Sequence, residues 1–161
     1  MRALLQRVTQ ASCTVEGTQT GACGHGLVVF LGVGPDDNEA VAQRLWNKIY
    51  GLRMFDDKGG KTNLSLHEVG GEALIVSQFT LYADCRRGRR PSLNGAAAPT
   101  LAMRLYDFFC DLAEADLGHA HVGRGVFGAD MEVSLTNDGP FTIWLDTDEL
   151  TPIAELTGSR H

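Results

Sequence analysis

The sequence lacks a hydrophobic run long enough to cross a membrane. Its longest apolar stretch, Leu27 to Val33, contains Gly32 and falls far short of a bilayer span. The opening MRALLQRVTQ has no apolar core of the kind a secretory leader carries. A cytoplasmic protein with no membrane association is therefore expected. Cysteine is scarce: Cys13, Cys23, Cys85 and Cys110 form no C-x-x-C pair. In a cytoplasmic chain they are expected as reduced, buried or half-buried thiols. Cys23 with His25, and His119 with His121, have the spacing of neighbours on one strand face. No carboxylate or third ligand accompanies either pair, so no metal and no other cofactor is expected. Also missing are a Walker loop, a dinucleotide fingerprint, a zincin motif and a G-x-S-x-G elbow. Gly32-Val33-Gly34-Pro35 is only a G-x-G, and Pro35 removes an amide that phosphate binding needs. Basic residues are outnumbered, 14 Lys and Arg against 20 Asp and Glu, for a net charge of -6. The chain as a whole repels nucleic acid.

What is present describes one globular domain. A length of 161 residues supports a sizeable core, and 43% hydrophobic with 21% charged residues is ordinary for such a domain. Nineteen glycines suggest strands joined by tight turns. Residues 11–16 alternate apolar and polar, which predicts a half-buried strand that residues 1–9 extend. A turn at 16–21 and a buried strand at Leu27–Val33 complete an opening hairpin. A helix follows, with Asp36, Asp37 or Asn38 as its cap, Val41, Leu45 and Ile49 on one face, and Gly51 as its stop. A short strand over 52–55 precedes the turn Asp56–Gly60. Residues 72–82 form the most strand-like segment. Pro99 suits the first turn of a second helix, whose stripe is Leu101, Leu105, Phe108, Phe109 and Leu112, and Gly118 ends it. Strands are expected over 131–136 and 141–145, with Asn137–Pro140 as the turn between them and residues 119–126 as a further candidate. The fold class is α/β with an α+β-like order, ββαββαββ: mixed, largely antiparallel sheets packed with two helices. Residues 1–147 make a single domain, and 148–161 a loose C-terminal tail.

Three segments carry unusual chemistry. Ser77-Gln78-Phe79-Thr80 puts three hydrogen-bonding side chains at the end of an apolar strand. They form a polar strand edge or line a cavity, since buried polar groups need partners. Asn137-Asp138-Gly139-Pro140 reads as a plain hairpin turn on residue types alone. Arg86-Arg87-Gly88-Arg89-Arg90 is either a solvated loop or a phosphate-contacting one, because arginine forks match phosphate oxygens.

Read together, these segments carry a resemblance. Ser77-Gln78-Phe79-Thr80-Leu81-Tyr82-Ala83 and Asn137-Asp138-Gly139-Pro140-Phe141-Thr142 resemble the two signatures of D-aminoacyl-tRNA deacylases. Gln6-Arg7-Val8, Gly59-Gly60-Lys61, Arg90-Pro91-Ser92, Ala96–Pro99 and Gly125–Met131 are similar to the family as well. The resemblance spans residues 1–147, with departures at Thr62, where methionine is usual, and Leu93, where phenylalanine is usual. It implies an esterase that removes D-amino acids from tRNA and rejects L-aminoacyl groups, with glycyl-tRNA also cleaved. It implies a homodimer with active sites at the interface, where Ser77, Gln78, Phe79 and Thr80 of one chain meet a cis Gly139-Pro140 of the other. Backbone N–H groups near Phe79 and Thr80 are the expected oxyanion donors. Phe127 and Met131 join Gly139 and Pro140 as expected substrate-binding residues, with Arg7 fixing the turn. Arg86, Arg87, Arg89 and Arg90 are the expected tRNA phosphate contacts. Two competing readings are a covalent nucleophile at Thr80 or Ser77, and a non-catalytic nucleic-acid-binding module.

Overall fold

In the computed structural model, which describes residues 1–151, fold class and helices follow the expectation, while the strands differ in number and bounds. The order is β1 (Arg2–Val15), β2 (Thr18–Cys23), β3 (Gly26–Gly32), α1 (Glu39–Gly51), β4 (Arg53–Asp56), β5 (Thr62–Ser65), β6 (Glu72–Ser77), α2 (Pro99–Leu117), β7 (Val122–Arg124) and β8 (Glu132–Asp146). The expected turn at 16–21 shrinks to Glu16-Gly17, because residues 18–23 pair antiparallel with the second half of β1. The hairpin β4–β5 was only half legible, since TNLS carries one buried residue and no alternation strong enough to mark a strand.

β1 bends where its register with β8 shifts, near Gln6 to Gln10. Its first half pairs with β3 and its second with β2, while β8 runs antiparallel along the other edge of both halves. β6 and β7 add in parallel beyond β3. The path β2-β1-β3-β6-β7 curls until its end strands touch. Gly21 and Gly123 form that seam: a Cβ on Gly21 would overlap the main chain of Arg124, and one on Gly123 that of Ala22. Inside the curl lies a small core of Val8, Cys13, Cys23, Val28, Leu74 and Val76.

The helices cover the opposite face. α1 is capped by Asn38, whose Oδ1 accepts from the Val41 amide at 3.1 Å, so Asn38 outcompetes Asp36 and Asp37. It buries Ala42, Leu45, Trp46 and Ile49, and the Trp46 ring meets Phe109 of α2 edge-on at 5.6 Å. Trp46 Nε1 donates to Asp116 Oδ2 at 2.8 Å, satisfying the indole as burial requires. α2 begins on Pro99 and ends at Gly118 with φ of 91°, as its sequence dictates. Beyond β8 a 3-10 turn spans Thr147–Glu149, with Thr147 buried. The remainder of the expected tail, 152–161, lies outside the described residues. Among the described residues no helix is long and apolar enough to cross a membrane.

Candidate active site

β6 ends at Ser77, five residues earlier than the apolar run suggested. Gln78 leaves the strand with φ -143° and ψ 79°, and Phe79–Tyr82 wind into a 3-10 turn. Strict alternation of Ser77 and Phe79 against Gln78 and Thr80 is therefore lost. Phe79 points outward and is 55% exposed. The turn packs closely on the end of β3. The Gln78 amide donates to the Leu31 carbonyl at 2.7 Å; a Cβ on Gly32 would crowd Leu81 and Tyr82, and one on Gly34 would overlap the Tyr82 hydroxyl. As the first residues of a helical turn, Phe79 and Thr80 have no carbonyl behind them to bond. Among the described residues no main-chain acceptor takes either amide.

A largely apolar cavity of about 390 Å³ opens beside this turn. Ser77, Gln78 and Phe79 form one wall; Leu93, Ala97 and the start of α2 form another. Tyr106 and Phe127 sit with ring centroids 6.1 Å apart and complete it. The buried Tyr106 hydroxyl donates to the Ile75 carbonyl at 2.8 Å. Burial, and next the neighbouring Cys110, push its pKa well above the ordinary tyrosine range, so it stays a neutral donor. Thr80 is exposed and does not line the cavity; its Oγ1 accepts from Gln78 Nε2 at 2.5 Å, fixing the glutamine side chain.

The segment Asn137–Pro140 is not a hairpin turn. β8 pairs with β1 on both sides of it, Thr142 opposite Gln6 and Asn137 opposite Val8, so the chain swings out and rejoins the same strand line. Asn137 pins the neck, its Nδ2 donating to the carbonyls of Arg7 (2.9 Å) and Phe141 (3.1 Å). Arg7 is 8% exposed and holds the swing from below. Its Nε donates to the Asp138 carbonyl (3.0 Å) and its Nη1 to the Met54 carbonyl (2.7 Å), while its guanidinium lies 4.5 Å over the Phe141 ring. The Gly139-Pro140 bond is cis, and both residues are exposed. A Cβ on Gly139 would overlap the Asn137 side chain. This protrusion does not enter its own chain's cavity.

The arginine loop is closed at its neck by paired main-chain bonds between Asp84 and Ser92 at 2.8 and 2.9 Å. Arg86 turns back and grips Asp84 through Nε (2.8 Å) and Nη2 (2.7 Å). That grip holds the Asp84 carboxyl far below its usual range. Arg87, Arg89 and Arg90 are exposed and make no ion pair among the described residues.

The sequence profile of the family described as D-Tyr-tRNA(Tyr) deacylase matches residues 4–146. The D-aminoacyl-tRNA deacylase of Thermomicrobium roseum is 54% identical over 150 residues, 93% of this chain and 96% of its own. The chain belongs to the D-aminoacyl-tRNA deacylase family. The family's enzyme from Lacticaseibacillus casei is 55% identical over 148 residues, 92% of this chain and 99% of its own. Among solved structures, one titled c-Myc DNA Unwinding Element Binding Protein superposes with a TM-score of 0.86 at 37% identity, covering 91% of this chain and 98% of that one. A second, titled as a probable eukaryotic D-amino acid tRNA deacylase, gives 0.79 at 20% identity over 89% and 97% of the two chains and shares the fold.

Set against the residues that the resemblance to this deacylase family singled out, the folded chain brings Ser77, Gln78, Phe79 and Phe127 to one cavity and leaves Thr80 at its outer edge. Met131 lies elsewhere: it packs on the inner core, its sulfur close to Gly125, and lines a separate hollow with Glu16 and Gly128. Arg7, Gly139 and Pro140 gather at the protrusion. The Cys23/His25 and His119/His121 pairs each separate: Cys23 Sγ lies 3.9 Å from the Leu27 carbonyl while His25 is edge-on to Phe55, and His119 Nδ1 is 3.0 Å from Glu114 while His121 Nδ1 is 3.5 Å from Glu72. Among the described residues no group of three His, Cys, Asp or Glu side chains could hold a metal ion. The sequence reading missed Tyr106 because it sits in an apolar helix stripe, and Asn137 because it reads as turn chemistry.

Proposed function

We propose that the chain hydrolyses the ester of D-aminoacyl-tRNA in the cavity beside the Phe79–Tyr82 turn, completed by the Gly139-Pro140 protrusion of a second copy. The observation that carries this reading is the pair of unbonded amides, Phe79 and Thr80, at the edge of an apolar cavity. Such amides stabilise an oxyanion without reorganising, and a largely apolar surround strengthens them. Water adds to the ester carbonyl, the negative charge builds on its oxygen, and collapse breaks the bond to the ribose. The proton lost by the water ends on the departing ribose oxygen, with the neighbouring 2′-hydroxyl assisting. An ester is reactive enough for placement and oxyanion binding to suffice, which accords with the lack of a G-x-S-x-G elbow. Thr80, hydrogen-bonded to Gln78, serves to position.

Chirality is read by exclusion. The carbonyls of the partner's Gly139-Pro140 segment crowd the side of Cα where an L side chain would lie, while a D side chain points outward. A clash with main-chain atoms works for any side chain, and rejection of the wrong partner gives specificity that added attraction alone does not. Glycine has nothing to clash, so glycyl-tRNA is cleaved too. With D- and L-aminoacyl esters on the same tRNA, the D form is expected to be hydrolysed and the L form spared. Equal rates would overturn the chiral reading; no turnover of either would overturn the enzyme.

The tRNA body is held by Arg87, Arg89 and Arg90, which project from the loop next to Leu93 on the cavity wall. Replacing Arg87 and Arg89 by alanine is expected to weaken tRNA binding and flatten its salt dependence, by up to about one unit of log–log slope per lost phosphate contact. Arg86→Ala is expected to change the slope less, since its fork is already occupied by Asp84. Binding measured across a salt series checks both, and equal slopes in all variants would return the loop to a solvated role.

A further inference from the structure

We infer that Arg2 is a positioning residue for hydrolysis: it clasps the Phe79–Tyr82 turn from behind and sets where the free amides point. This rests on that turn being the active site. Arg2 Nη1 donates to the Leu81 carbonyl at 3.0 Å, inside the turn itself. Its Nε donates to Asp146 Oδ2 at 2.8 Å, on the last residue of β8. The guanidinium lies 4.3 Å over the Tyr82 ring and 5.7 Å over the Trp144 ring, so an aromatic from the turn and one from β8 both bear on it. Four contacts thus join the turn to β8 through one planar cation. Stacking and a forked donor are properties of arginine that lysine does not reproduce.

The turn needs such a clasp. On its inner side it rests on Gly32 and Gly34, which offer no side chain to grip it. The bonds that tie it to its flanks are uneven: Leu81 N reaches the Gln78 carbonyl at 3.3 Å, and Ala83 N the Thr80 carbonyl at 3.0 Å. Arg2 contributes little to the core, since its side chain is about one-third exposed at the start of β1. Its two hydrogen bonds and two ring contacts bear on orientation more than on burial.

The test is deacylation kinetics with a D-aminoacyl-tRNA. Arg2→Ala is expected to lower kcat by about 10- to 100-fold, the scale of a misplaced catalytic group, with KM within about two-fold of the parent. Arg2→Lys keeps the charge but neither the fork nor the planar stack, and is expected to recover only part of the loss. Because Arg2 acts on the oxyanion donors and not on the chiral gate, D and residual L rates should fall together, leaving their ratio unchanged. Ala97→Trp, which fills the cavity, separates this inference from the site assignment. An inactive Ala97→Trp beside a parent-like kcat in Arg2→Ala overturns the role of Arg2 alone. A fully active Ala97→Trp overturns the site. Should Arg2→Ala unfold at the assay temperature, Arg2→Lys decides, and a parent-like kcat there overturns the proposal.

Discussion

Arg7→Ala is expected to slow D-aminoacyl-tRNA hydrolysis by about 100-fold and to raise the L-to-D rate ratio, because it releases the protrusion proposed above as the chiral gate. The buried guanidinium bonds the Asp138 carbonyl on the swing and the Met54 carbonyl on β4, and faces the carboxylates of Asp138 at 3.2 Å and Asp56 at 3.6 Å. Hydrogen bonds to a charged donor contribute about 1.5–3 kcal/mol each. Asp56 and Asp138 are themselves 50% and 39% exposed, so their ion pairs are screened and add little. A stability loss of about 3–6 kcal/mol is therefore expected, roughly 6–24 °C in Tm for a chain this size. Asn137 still pins the neck, so the swing loosens without leaving the sheet. Arg7→Lys should fall between, since one ammonium cannot reach both carbonyls in the geometry of a fork. Rates on matched D and L esters, with Tm alongside, decide the matter. An unchanged rate ratio in a folded Arg7→Ala protein would mean that the protrusion is not the chiral gate.

Gly123→Ala is expected to destabilise the fold by about 1–3 kcal/mol, the usual cost of forcing atoms into a filled space. That is roughly 2–12 °C in Tm. The added methyl would meet the main-chain N and O of Ala22 at the seam between β7 and β2, and backbone cannot step aside as a side chain can. The sheet must open there, which loosens the inner core around Cys13 and Cys23. The effect should extend to the site, because β7 leads through Gly125, whose amide donates to Ile75 at 2.9 Å, to Phe127 on the cavity wall. Gly21→Ala should behave alike, and the double variant should lose less than the sum, since the first substitution has already parted the strands. Gly51→Ala, with open space around its Cβ, provides a control of the same chemistry and is expected to leave Tm nearly unchanged. Differential scanning calorimetry of the four proteins checks this, and a parent-like Tm for Gly123→Ala would rule the seam out.

The helices were legible because their signals are local. Asn38, Pro99, Gly118 and the spacing of Leu45, Ile49, Leu105 and Phe109 act within one or two turns. β1 and β3 were legible for the same reason, through alternation or an unbroken apolar run. The end of β6 was misplaced because Phe79, Leu81 and Tyr82 carry apolar and aromatic character past Ser77. What stops the strand is the packing of Leu81 and Tyr82 on Gly32 and Gly34, a contact between residues far apart in sequence. Asn137–Pro140 was misread as a hairpin for a related reason. Turn-forming residues mark a change of direction, but whether the chain reverses or rejoins its line depends on what it pairs with, and β1 pairs with both sides.

The amino-acid sequence by itself determined the family, through two signatures and the matches spread between them, along with the fold class and the residue types at the site. Only the tertiary structure decided which of those residues meet. It joined Ser77, Gln78 and Phe79 with Tyr106 and Phe127 around a cavity, left Thr80 outside and sent Met131 to the inner core. It turned Arg86 back onto Asp84 and left Arg87, Arg89 and Arg90 exposed. It set the Gly139-Pro140 protrusion away from its own cavity. The reason is physical. Periodicity and capping are short-range and written into neighbouring residues, whereas strand register, the glycine seam and the reach of an arginine depend on main-chain surfaces that come together only when the sheet closes.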